Sequence, residues 1–130
     1  MSGPFPSTSG NAVPSVDGTD LAGIHPGVDL IRDGIRLIAH DRLDRNTTQV
    51  LIAALAGSGD GTDVLAAIGH LIARLTNADT NPALRHLPLD IQKQAAHQGW
   101  LTAHNLTDPD LRNSAATANH TLDHPKGSQP

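Results

Sequence analysis

The sequence predicts an all-α fold, a compact bundle of four to five short helices with disordered N- and C-terminal tails. Three observations carry this. Apolar residues recur at three- and four-residue spacing in separate segments. The segments open on helix starts, such as the prolines at 26 and 109. No stretch outside Val50–Ile52 is both rich in β-formers and bounded by turns.

Residues 1–24 carry Gly, Pro, Ser, Asn and Thr with few apolar residues, which predicts a disordered N-terminal tail. The helical domain is expected over 25–123, and residues 124–130 form a loose C-terminal tail. The first helix reads "PGVDLIRDGIRLIAHDRLDR". Pro26 suits its first position, and Asp29 sits on the favourable side of the helix dipole. Val28, Ile31, Ile35 and Ile38 form its apolar stripe, widened by Leu30, Leu37 and Leu43, and one buried face is expected.

A second helix spans about 47–57, with Asn46 and Gln49 at capping-box spacing. It is apolar nearly all round, which predicts a central, heavily buried helix. A third, about 62–77, carries Val64, Leu65, Ile68, Leu71, Ile72 and Leu75 on one stripe, with Asp60 or Thr62 as its cap. A connector follows, with a short turn started by Asn81-Pro82. The fourth helix runs from about Leu89 to His104, and Gly99 weakens its end. Asp108 and Pro109 start a fifth, with Leu111, Ala115, Ala118 and Leu122 as a narrow stripe.

The stretch "VLIAALAGSGDGTDVLAAIGHLI", residues 50–72, admits two readings. Val50, Leu51 and Ile52 favour a strand; Ala53, Ala54 and Ala56 favour a helix. A lone strand has no partner for its backbone hydrogen bonds. The consistent reading is helix, turn, helix, with Gly57 to Thr62 as the turn.

Composition excludes several function classes. Nine Lys and Arg against 13 Asp give a net charge of -4, which argues against phosphate neutralisation and polybasic membrane contact. Glu is absent, so no Glu serves as acid, base or ligand. Without cysteine there is no disulfide, thiolate nucleophile or thiolate zinc site. Aromatics are only 2%, so aliphatic residues must pack the core, with Trp100 the one large aromatic placed to matter. The N-terminus lacks the basic and apolar regions of a signal peptide, and the default location is the cytoplasm. The eight histidines allow a pH response, although scattered surface histidines are the plainer reading.

Two constellations raise chemistry. "GSGDGT" after "VLIAALA" resembles the G-G-D-G-T motif of diacylglycerol, sphingosine and NAD kinases. The resemblance implies that Gly59, Asp60, Gly61 and Thr62 contact nucleotide phosphate, with Asp60 catalytic. It covers about a sixth of the chain. The later Pro-Leu-Gly-Thr-like segment of those kinases is not matched, since Asp90 and Ile91 follow Pro88-Leu89. The loop is not a P-loop either, because no Lys follows Gly61. His40-Asp41 resembles the dyad of metal-dependent HD phosphohydrolases, which would need a distant His and Asp such as His25 and Asp108.

Other pairs point less far. His97 and His104 share a helix face two turns apart, and His120 and His124 have four-residue spacing. Helices 47–57 and 62–77 suggest a helix-turn-helix DNA-binding regulator, but the reading helix carries one Arg, Arg74, near its C-terminus. No catalytic, cofactor-binding or metal-ligating set is assigned, and no cofactor is expected. The expected function is a small non-enzymatic helical module for protein–protein interaction or regulation, with another protein or a second copy as partner. Neither a membrane nor a nucleic acid is expected as partner. The alternatives are a metal- or phosphate-dependent enzyme using His40-Asp41 or the Gly57–Thr62 loop, and then the DNA-binding regulator.

Overall fold

The computed structural model describes residue 16 and residues 18–123. The expected tail segments 1–15 and 124–130 lie outside the described residues. Five α-helices follow in order: α1 Pro26–Ala39, α2 Arg45–Ile52, α3 Val64–Leu75, α4 Leu89–Leu106 and α5 Asn113–Leu122. Three-residue-period turns occupy Thr19–Leu21, Pro82–Leu84 and Pro109–Arg112, and a π-turn extends α2 over Ala53–Gly57. No strand occurs among the described residues. The chain divides into two compact units at Arg42/Leu43.

In the first unit the His25 ring accepts a hydrogen bond from Gly27 N at 2.8 Å and caps α1. Asp29 reaches back, its Oδ1 accepting from Gly23 N at 3.2 Å. The expected helix through Arg45 stops at Ala39. His40 N closes the last turn on Arg36 O at 3.1 Å. Asp41 then accepts from Arg42 N at 2.8 Å, a local bond that competes with helix continuation. The expected buried face of α1 is not buried: Val28 and Ile38 are half-buried, and Ile31 and Ile35 are exposed. Among the described residues of its unit α1 packs against the 19–21 turn, and Val16 and Leu21 line a cleft with Val28, Ile31 and Ile35.

In the second unit Asp44, not Asn46, caps α2. Its Oδ1 accepts from Thr47 N at 2.7 Å, which holds the Asp44 carboxyl below its ordinary pKa. The π-turn ends α2 where Ala56 leaves helical geometry (φ -156, ψ 19). Residues 50–72 are therefore helix, turn, helix. Segment 47–57 is not the buried centre, however; none of its residues is fully buried and Val50 is exposed.

The closest packing joins α3 to α4, and it is made of small residues. Ala66, Gly69, Gly99 and Ala103 are the buried positions of the two helices. A Cβ built on Gly69 would lie 3.1 Å from Ala103 Cα and 3.0 Å from Leu106 Cβ. One built on Gly99 would overlap the Thr76 hydroxyl and lie 2.8 Å from Thr76 Cβ. Gly99 thus does not weaken the end of α4. It sits inside a helix that continues to Leu106, at the point where backbones must approach closely.

The connector is tied down by side chains. Asn81 Nδ2 donates to Leu75 O at 2.9 Å, and Arg85 Nε donates to Ala78 O at 2.9 Å over the buried Ala78. α5 joins α2 through a reciprocal amide pair. Gln49 Nε2 donates to Asn119 O at 3.1 Å, and Asn119 Nδ2 donates to Gln49 O at 2.9 Å. Of the expected α5 stripe, Ala115 and Leu122 are half-buried, while Leu111 and Ala118 are exposed.

Candidate functional site

The geometry of α3 is set at its N-terminus. Asp63, rather than Asp60 or Thr62, is the cap, its Oδ1 accepting from Ala66 N at 3.0 Å. The same carboxylate receives Arg112 from 49 residues away, Nε to Oδ2 at 2.6 Å and Nη2 to Oδ1 at 2.5 Å. Ser58 N adds a bond to Oδ2 at 3.3 Å, and Arg112 Nη1 donates to Asp108 O at 3.1 Å. The Asp63 side chain is 0% exposed and that of Arg112 is 2%. Forked, charge-assisted bonding of this kind offsets the cost of removing both charges from water. Arg112 pulls the Asp63 carboxyl down to about 2, against desolvation and with help from the Ala66 and Ser58 N–H groups. Asp63 in turn raises the Arg112 pKa.

The clamp joins the start of α3 to the turn before α5. The inner face of α3 is then the small-residue face, with Ala66 and Gly69 against α4. The larger apolar residues divide between its flank and its outside. Leu65, Ile68 and Ile72 are half-buried, while Val64, Leu71 and Leu75 are exposed, Leu71 by 47%. The expected core stripe of α3 is therefore partly an outer surface. Val64, Ile68, Leu71 and Leu75 follow one another at spacings of four, three and four, which places them in a single row. Among the described residues only three apolar side chains are fully buried, all alanines, and the sole large fully buried side chain is Arg112.

The Gly57–Thr62 loop follows the π-turn rather than a strand. Thr62 Oγ1 donates to Asp60 Oδ1 at 2.6 Å and Thr62 N at 3.2 Å, and the Ser58 hydroxyl donates to the same oxygen. These bonds, the hydroxyls of Ser58 and Thr62 first, hold the Asp60 carboxyl below its ordinary pKa. Gly61 has a φ of 73°, the left-handed turn that a side chain would resist. The carboxylate is thus engaged with its own loop. No strand precedes it among the described residues.

His25 caps α1, and the Asp108 carboxylate accepts from Asp110 N at 3.0 Å. Among the described residues no group of three or more His and Asp side chains stands close enough to hold a metal ion. His120 Nδ1 lies 4.0 Å from Asp123 Oδ2, and His124 falls outside the described residues. The six-residue link Ser58–Asp63 between the π-turn and α3 exceeds the three- to four-residue turn of a helix-turn-helix.

His97 and His104 do share a face of α4, as their spacing predicts, and between them stands Trp100. The indole is nearly parallel to both imidazoles, at 6.3 Å and 14° from His97 and 5.2 Å and 12° from His104. It is 57% exposed and so is not a core residue. The i, i+3, i+7 spacing of the three rings was the available signal.

Against known protein families, curated proteins and solved structures, the chain finds no match. Among the described residues no helix is long and apolar enough to cross a membrane.

Proposed function

We propose that this chain is a small non-enzymatic interaction module whose docking face is the outer row of α3, and whose first partner is a second copy of itself. The observation that carries this reading is the row Val64, Ile68, Leu71, Leu75, in which Val64, Leu71 and Leu75 are exposed and Ile68 is half-buried, on a helix whose opposite face is buried. Covering the exposed halves of Leu71 and Leu75 contributes about 1 kcal/mol each. Among the described residues the fully buried apolar side chains are all alanines, which is a small core, so association completes burial that the single chain leaves undone.

A second copy suits the row because its spacing reads the same in both directions. Antiparallel pairing sets Val64 against Leu75 of the other copy and Ile68 against Leu71. It also opposes the two helix dipoles favourably and places Arg74 beside Ala67 rather than beside another Arg74.

The chain has no cysteine, so Ala67→Cys, on the flank of the row, accepts a single nitroxide label. Antiparallel pairing brings two such labels within about 20 Å of each other. Dipolar coupling that grows with protein concentration supports the reading. Its absence at every concentration contradicts it.

A further inference from the structure

A second surface stands on α4, independent of the α3 row. Lys93, His97, Trp100 and His104 follow at spacings of four, three and four, so all four lie along one face. All four are exposed. The face spans about 16 Å of helix. It carries three basic groups on a chain of net charge -4. None of the three makes an ion pair among the described residues.

The surroundings leave those charges available. α3, the helix packed against α4, has only His70 and Arg74 as charged or titratable side chains. The nearby carboxylates sit at the ends of the face. Asp90 lies in the first turn of α4, and Asp79 lines the same cleft as Lys93. Beyond His104, Asp108 is occupied in capping the next turn. Trp100, the chain's only tryptophan, is stacked with two imidazoles and remains more than half exposed. An indole ringed by basic groups is the composition of an interface anchor.

We infer that the Lys93–His97–Trp100–His104 face docks an acidic peptide segment of a partner protein, whose carboxylates meet the three bases and whose apolar side chain covers Trp100. Two or three spaced carboxylates match three bases on one helix face. The dense phosphates of a nucleic acid demand more cations than this face or this chain supplies.

The test uses the full chain and reads Trp100 emission. The probe is a helical Ala/Gln peptide of about 16 residues. It carries aspartates at the spacing of Lys93, His97 and His104 and leucine at the spacing of Trp100. A peptide with asparagine for aspartate and a thymidine oligonucleotide of equal length serve as comparisons. The expected result is a blue shift and an affinity roughly tenfold tighter for the aspartate peptide than for the asparagine one. The double variant His97→Gln/His104→Gln, folded by circular dichroism, binds more weakly. Lys93→Gln also weakens binding. Equal affinity for the asparagine peptide, tighter binding of the oligonucleotide, no binding, or an affinity that both variants leave unchanged overturns the inference. The outcome does not depend on the α3 row, which Leu71→Asp removes without touching this face.

Discussion

Arg112 closes over Asp63 with two nearly equal hydrogen bonds, 2.6 and 2.5 Å, across 49 residues of chain. Among the described residues that pair is the one long-range polar lock of the second unit with both side chains out of water. It also fixes the start of α3, since the same carboxylate caps the helix. Asp63→Ala leaves a buried guanidinium unpaired and uncaps α3. We expect a loss of about 3–5 kcal/mol in urea unfolding. Arg112→Lys keeps the charge but not the fork, and should fall between wild type and Asp63→Ala. A loss under 1 kcal/mol for Asp63→Ala would remove the pair from its structural role.

The same pair dictates an acid response. The Asp63 carboxyl titrates at about 2 in the fold and at 3.8 ordinarily. A depressed pKa contributes stability that is fully present above the unfolded value and is lost as pH falls through the folded one. Stability should therefore decline from about pH 4 to about pH 2. Asp44 and Asp60 are shifted in the same direction, but both are exposed and act weakly. Thermal melts of Asp63→Asn should show a flatter pH dependence in that window. An unchanged slope would assign the acid response elsewhere.

Gly99 is predicted to resist substitution even though it lies mid-helix. In an open helix Gly→Ala gains about 1 kcal/mol. Here the new methyl would collide with Thr76, whose hydroxyl already donates to Ile72 O at 3.0 Å and so is not free to swing aside. Overpacking of this kind costs about 1–3 kcal/mol, so Gly99→Ala should lower the melting temperature. Gly34→Ala, with nothing within 4 Å of its built Cβ, should raise or preserve it. A stabilised Gly99→Ala would mean that α3 and α4 cross less closely.

Helix positions were legible in the sequence because caps and periodicity are local. Pro26, Pro82 and Pro109 each open the helical turn that the sequence placed there. Cap identity was less legible. Asp44 and Asp63 each stand beside other capping residues, and only the fold shows which side chain turns back to the helix. Burial was misread for a physical reason. A 3.6-residue stripe says which residues share a face, not whether the unit has anything to cover that face. On α3 the close neighbour is reached through Ala66 and Gly69, and hydropathy ranks glycine and alanine below leucine. The Asp63–Arg112 pair carries no sequence signal at all, since 49 residues separate its members and Arg112 reads as a surface charge.

The central claim, that the outer row of α3 is an association surface, is tested most directly by mass in solution. Light scattering on a sizing column, over a concentration series, compares wild type with Leu71→Asp. Because Leu71 is half exposed, the variant should keep its helical spectrum. The account predicts that wild type rises with concentration from the 13.6 kDa chain mass towards twice that value while Leu71→Asp remains at the single-chain mass. A wild-type mass that stays at one chain throughout, or an associated mass that Leu71→Asp leaves unchanged, would contradict it.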